Sequence, residues 1–297
     1  MKKYLFHILV LALLAGMTAC GSKNDSDGSE AEAFKNSQEQ RNDDSKSFDE
    51  LLLNIPTPSE IPYLLLTTGA DFNESIINPY TNVDRYMTTE EVKALNLGVY
   101  GADLAYLSSY DKTQDAINYM GSMKKLADEL GATTSYDREM VTRFETNLGD
   151  KDSLYKIIDS GMSQADLLLK SEDRGDIAIM LTIGSFAEGL YIATQLIAQY
   201  PEDIMTEEQK YTVLTPLIRV ILEQEKSLSD LIKLAGSVPA NDTMNTLVSG
   251  LKTLQEHYAA LDIEEKINNN QGADLLSDES LKDIIDQVAV IRNSITD

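Results

Sequence analysis

The chain has few of the residues from which a catalytic or metal-binding centre is ordinarily built. Of its 297 residues one is cysteine, two are histidine and none is tryptophan. A single cysteine, Cys20, allows no internal disulfide and no multi-thiolate metal site. If Cys20 is used up by processing near the N-terminus, no cysteine nucleophile is left either. His7 lies in the same N-terminal stretch, which leaves His257. A site of several histidines is thereby excluded, as is any triad that does not use His257. In LKTLQEHYAAL, His257 follows Leu254 by three and precedes Ala260 by three. No serine or carboxylate constellation is evident beside it, and it reads as a structural or surface residue.

Basic residues are also scarce: 25 lysines and arginines stand against 49 acidic residues, a net charge of −24. Without Lys2 and Lys3 the balance is 23 against 49, about −26. A surface of that sign repels nucleic acid and anionic lipid head groups, so no nucleic-acid partner is expected. Sugar platforms favour aromatic faces, and six phenylalanines, scattered tyrosines and no tryptophan leave only a tyrosine-lined site open. The acidic stretch NDSDGSE lacks the ligand spacing of an EF-hand loop. No cofactor and no metal site is expected. Alternating β-branched strands with two-residue glycine turns are missing too.

The N-terminus is the most informative segment present. MKKYLFHILVLALLAGMTAC has two lysines, an apolar run from Tyr4 to Ala15, then Gly16, Met17, Thr18, Ala19 and Cys20. A basic start, a short apolar core and a small-residue exit make a secretory signal over 1–19, too short for a membrane span. Its end resembles a bacterial lipobox, with Met17 in place of the usual leucine. That resemblance implies that Cys20 is acylated and becomes the first residue of the mature, membrane-anchored protein. Gly21 to Ser47 is rich in Ser, Asn, Asp, Glu and Gly and nearly free of apolar residues, which predicts a disordered acidic tether over 20–47. As a flexible coil it would reach about 30 Å. The acidic cluster after Cys20 resembles the surface-export signal of lipoproteins of the Bacteroidota. It implies an outer-membrane location facing the cell exterior, with a periplasm-facing placement as the alternative.

Residues 48–297 read as helix almost throughout, in one domain or in two related halves at about 59–170 and 174–294. Apolar periodicity and boundary residues predict helices at 59–69, 88–110, 112–130, 137–148, 152–170, 174–199, 206–235, 242–261 and 277–294. Thr88 with Glu91 and Thr206 with Gln209 suggest capping boxes; Asp111, Asp137 and Asn241 are available as N-caps, and Gly131 and Gly236 as stops. Long helices on short loops predict an all-α fold, either an antiparallel bundle or a short helical-hairpin repeat array.

LNLGVYGADLAYLSSY, residues 95–110, stands out because glycines, an asparagine and an aspartate interrupt a helical pattern. LNLGVYGADL (95–104) overlays LTIGSFAEGL (181–190) without a gap. On a helical wheel Ala94, Gly98, Gly101, Ala105 and Ser108 share one side, and Asn96, Tyr100, Asp103, Leu107 and Tyr110 the other. Leucines on both flanks predict an enclosed helix. A close helix crossing would explain glycines that cost about 1 kcal/mol each in propensity. The polar side predicts either a bonded internal network or a small polar pocket of Asn96, Tyr100, Asp103 and Tyr106, with Glu188 as a second carboxylate. Donors for Asp103 are sought in Tyr100, Tyr106 and Tyr110, with Arg85 or Arg138 as its cation. If the network is structural, Asp103→Asn should cost stability.

FNESIINPYTNVDRY, ALNLGVYGADLAYLSSYDKTQDAINY and LADELG, over residues 72–131, resemble a group of uncharacterised helical lipoproteins of the Bacteroidota. The resemblance implies no activity. Anchor, charge and missing chemistry together predict an extracytoplasmic, lipid-anchored binding or assembly protein, with an unknown protein or small molecule as partner. The alternative is a glycosidase-like hydrolase using Asp103 and Glu188.

Overall fold

Each helix begins or ends where a particular side chain or backbone conformation satisfies its free polar groups. The computed structural model describes residues 50–200, 207–239, 241–261 and 279–297. The signal, Cys20 and the tether lie outside the described residues, as do Thr206 and the cap assigned to it. The helices are α1 (Glu60–Thr67), α2 (Glu90–Ser109), α3 (Thr113–Glu129), α4 (Arg138–Thr146), α5 (Lys151–Ser171), α6 (Gly175–Ala198), α7 (Glu207–Leu222), α8 (Glu225–Ala235), α9 (Asp242–Ala260) and α10 (Glu279–Thr296). Short 3-10 segments occupy Glu74–Ile76, Tyr80–Tyr86 and Thr133–Tyr136. No strand occurs among the described residues, and the fold is an all-α bundle.

Asp137 and Asn241 cap α4 and α9 by accepting from the amides of Met140 and Met244. At α2 the cap is Thr89, which accepts from the Val92 amide; Thr88 is not the capping residue. Asp111 caps nothing: it sits at φ 57°, and the following amide of Lys112 bonds back to the Leu107 carbonyl at 3.0 Å. Asp173 (φ 59°) and Gly131 (φ 78°) close α5 and α3 in the same way. This left-handed ending makes a tight turn possible. The expected helix 206–235 is two helices, α7 and α8, broken at Glu223 and Gln224. No glycine or proline marks the break. Gln224 is buried and uses its side-chain amide on the Val220 carbonyl, which fixes the turn from within the core.

Two hairpins, α2 with α3 and α5 with α6, supply the centre, and every residue of α2 from Ala94 to Ser109 is buried. Helix α6 is long and apolar enough to cross a membrane, but 89% of its most apolar window is buried inside the domain. It is the core helix against which α2, α5, α7 and α10 pack. The α2–α6 contact is a close one. A Cβ on Gly98 would lie 2.1 Å from the Leu181 carbonyl oxygen, and one on Gly184 2.0 Å from that of Leu95. Backbone meets backbone there, as the close-crossing expectation required. Gly101 does not share the crossing; it lies under the flexible end of Met162, 3.3 Å from where a Cβ would sit. Asp103 pairs with Glu188 farther along both helices, so α2 and α6 run in the same direction although each is half of an antiparallel hairpin.

Candidate functional site

Tyr100 and Asp103 of α2 point into a closed cluster between α2, α3, α6, α10 and the link before the second 3-10 segment. Asn78 organises the link. Pro79 follows it and disfavours a helical conformation at Asn78, so the link stays extended and its polar groups face the bundle. The Asn78 amide donates to Asp103 Oδ2 at 3.2 Å, and its carbonyl accepts from the Tyr119 hydroxyl at 2.7 Å. Its side-chain oxygen accepts from Tyr86 and from Asn82, each at 3.1 Å. Tyr100 donates to the Pro79 carbonyl at 3.0 Å. The rings of Tyr86, Tyr100 and Tyr119 pack edge to face or tilted, with centroids 6.1 and 5.6 Å apart.

Asp103 and Glu188 meet at the base of this cluster, both at 0% exposure. Arg292, from α10, donates to Glu188 through Nε at 3.0 Å and Nη2 at 3.4 Å. Asp103 Oδ1 has no N–H donor and faces the Glu188 carboxylate. Burial holds the Asp103 carboxyl well above the usual range, and the Glu188 charge raises it further; Arg292 and the Asn78 amide pull the other way without prevailing. A proton on Asp103 would supply the donor that Oδ1 lacks, directed at the carboxylate that the guanidinium already holds. Burial likewise raises Tyr100 and Tyr119, keeping their hydroxyls protonated.

Of the five residues singled out in sequence, the structure brings Asp103 and Glu188 into contact and sets Tyr100 on the same cluster. Asn96 borders it at the end of α10, donating to the Ile295 carbonyl at 3.1 Å and to Val92 at 3.0 Å. Tyr106 lies apart. Its hydroxyl accepts from the Asn73 amide at 3.0 Å and its ring stacks on Phe72, 5.3 Å between centroids. Nor is the cation Arg85 or Arg138: Arg85 bonds the Asp297 carbonyl, and Arg292 holds Glu188. Tyr110 bonds the Ala70 carbonyl at 2.7 Å instead of Asp103.

Arg292 left a signal in the sequence. It follows Val288 by four, on the edge of the stripe formed by Ile284, Val288, Ile291 and Ile295. A charge at that spacing is directed toward the core and needs a buried counter-ion. Asn78 left none, since its role depends on a backbone amide.

The cluster is closed around its carboxyls rather than open as a cleft: Asp103 and Glu188 are at 0% exposure. Among the described residues no group of three or more histidines, cysteines and carboxylates could hold a metal ion. An accessible concavity among the described residues lies elsewhere, a groove of about 270 Å³ lined by Leu95, Asp242, Thr243, Thr246, Leu247 and Ser294 where α2, α9 and α10 meet. No family model, curated protein or solved structure matches the chain.

Proposed function

We propose that the protein is a lipid-anchored, extracytoplasmic binding or assembly protein of the outer membrane, tethered through Cys20 and acting through its outer surface on a protein or small-molecule partner. The observation that carries this reading is the burial of the polar cluster. The side chains best suited to chemistry, Asp103 and Glu188, are at 0% exposure and committed to each other and to Arg292. What remains for a partner is an acidic surface and the open groove beside α9. The resemblance of the Cys20 region to a lipobox, and of residues 72–131 to helical lipoproteins of the Bacteroidota, supports the location.

The alternative, a carboxylate hydrolase, draws support from the meeting of Asp103 and Glu188. Hydrogen-bonded carboxyls are, however, closer than the spacing of about 5–5.5 Å used by retaining glycosidases, and much closer than the inverting spacing. Two carboxyls that share a proton do serve aspartic proteases, but there the dyad is open to substrate and holds no arginine.

The test combines labelled palmitate with protease treatment of intact cells. Palmitate should enter the wild type and not Cys20→Ser, and external protease should remove the anchored domain. Equal labelling of both proteins would overturn the anchor, and protection from protease would place the domain on the periplasmic face. Glycoside turnover that is lost in Glu188→Gln would favour the hydrolase.

A further inference from the structure

The Asp103–Glu188–Arg292 cluster lies at a boundary between elements held together in different ways. Helices α2 and α6 meet at Gly98 and Gly184 by backbone contact, which cannot loosen without losing the crossing as a whole. Helix α10 is gripped instead at its end by side chains: Asn96 on the Ile295 carbonyl, Tyr86 on that of Thr296 and Arg85 on that of Asp297. The side chain of Arg292 is the only member of the charged trio with any exposure, 13%, and its guanidinium lies 4.7 Å over the half-buried ring of Tyr191. The cluster thus approaches solvent on the α10 side.

We propose that α10 is a proton-controlled strap, closed over α6 while Asp103 and Glu188 hold a proton between them and lifted from α6 when that proton is lost. With both carboxylates ionised, two negative charges and one guanidinium would be sealed away from water, an arrangement that low polarity makes very unfavourable. Lifting α10 hydrates all three. A state that binds the proton less tightly gains population as pH rises, whichever forces drive the motion.

The groups that face the pair are few. Tyr100 comes from α2, Tyr119 from α3, Tyr191 from α6, Arg292 from α10, and Tyr86 with Arg85 beside it from the link segment. The tyrosines are all raised by burial and stay neutral, and arginine keeps its charge, so the proton between the carboxyls is the one left to change. Opening would separate Phe186 and Leu190 of α6 from Val288 and Ile291 of α10, which now line one narrow apolar seam. Helix α10 also packs on α9, where Gln287 donates to the Gly250 carbonyl at 3.1 Å, so lifting frees it from both neighbours; alone, a helix of 18 residues is marginal in water and loses amide protection.

Native-state hydrogen exchange of the full chain, corrected for intrinsic rates, reads the opening directly. As pH rises from 5 to 8 the opening constant from α10 amides should increase, by up to about tenfold per pH unit for one proton released, while α2 and α6 stay protected. In Asp103→Asn the α10 slope should vanish, and in Glu188→Gln it should fall. A pH-independent α10, a slope that survives in Asp103→Asn, or joint loss of protection in α2, α6 and α10 would each overturn the strap. The wild-type slope decides the matter even if both variants fail to fold.

Discussion

Gly98 and Gly184 are reciprocal: each accepts, in the space its own Cβ would fill, the carbonyl of the leucine three residues before the other. Gly98 takes Leu181, and Gly184 takes Leu95. The two leucines and the two glycines are each 86 residues apart, so the exchange is that of a repeated unit packed on its own copy about a local two-fold. The gapless overlay of LNLGVYGADL on LTIGSFAEGL draws support from this contact. The same crossing aligns the two helices so that Asp103 reaches Glu188.

Glycine substitutions should therefore separate by position. Gly98→Ala and Gly184→Ala each force a methyl into a backbone oxygen at about 2 Å and should cost about 3 kcal/mol or more. Gly101→Ala meets the flexible ends of Met162 and Met123 and should be near neutral. Gly121→Ala, exposed on α3 with open space around it, should gain about 0.5–1 kcal/mol. Denaturant unfolding of the four variants checks the order, and equal costs at all four positions would refute it.

Asp103→Asn should be tolerated, contrary to the expectation from sequence. An asparagine can accept from the Asn78 amide and donate to Glu188, which are the two roles of a protonated Asp103. Because the folded-state carboxyl lies above its ordinary value of 3.8, its contribution to stability is full below that value. It is lost as pH rises toward the folded value and level beyond it. At pH 8 the variant should match or exceed the wild type by about 1 kcal/mol, and its stability should vary less from pH 5 to 8. A large loss at pH 8 would show that Asp103 is ionised in the fold.

Arg292→Met should cost about 3–5 kcal/mol, because Glu188 is left as an uncompensated buried charge. Glu188→Gln with Arg292→Met should recover part of that loss, since neither partner then remains charged. A double-mutant cycle measures the coupling, and strict additivity would mean that the pair contributes nothing jointly.

Tyr86→Phe should cost about 1–2 kcal/mol. Its hydroxyl lies 3.1 Å from both Asn78 Oδ1 and the Thr296 carbonyl, joining the link to the end of α10. Hydrogen exchange should show the loss first in the last turn of α10; uniform change across the bundle would contradict that assignment.

Sequence alone determined what depends on near neighbours along the chain. The helical class follows from apolar spacing, and the caps at Asp137 and Asn241 follow from side chains that reach amides three residues on. The glycines of the crossing were legible because no helix-forming reason exists for them. Tertiary structure decided what depends on residues brought from afar. It chose Arg292, 104 residues from Glu188, as the cation, set Asn78 against Asp103, and broke the helix at Gln224 through a buried side chain. It also decided the surroundings of Asp103. A carboxyl in water and one sealed against Glu188 are the same letter in a sequence, and burial is what raises the second's hold on a proton.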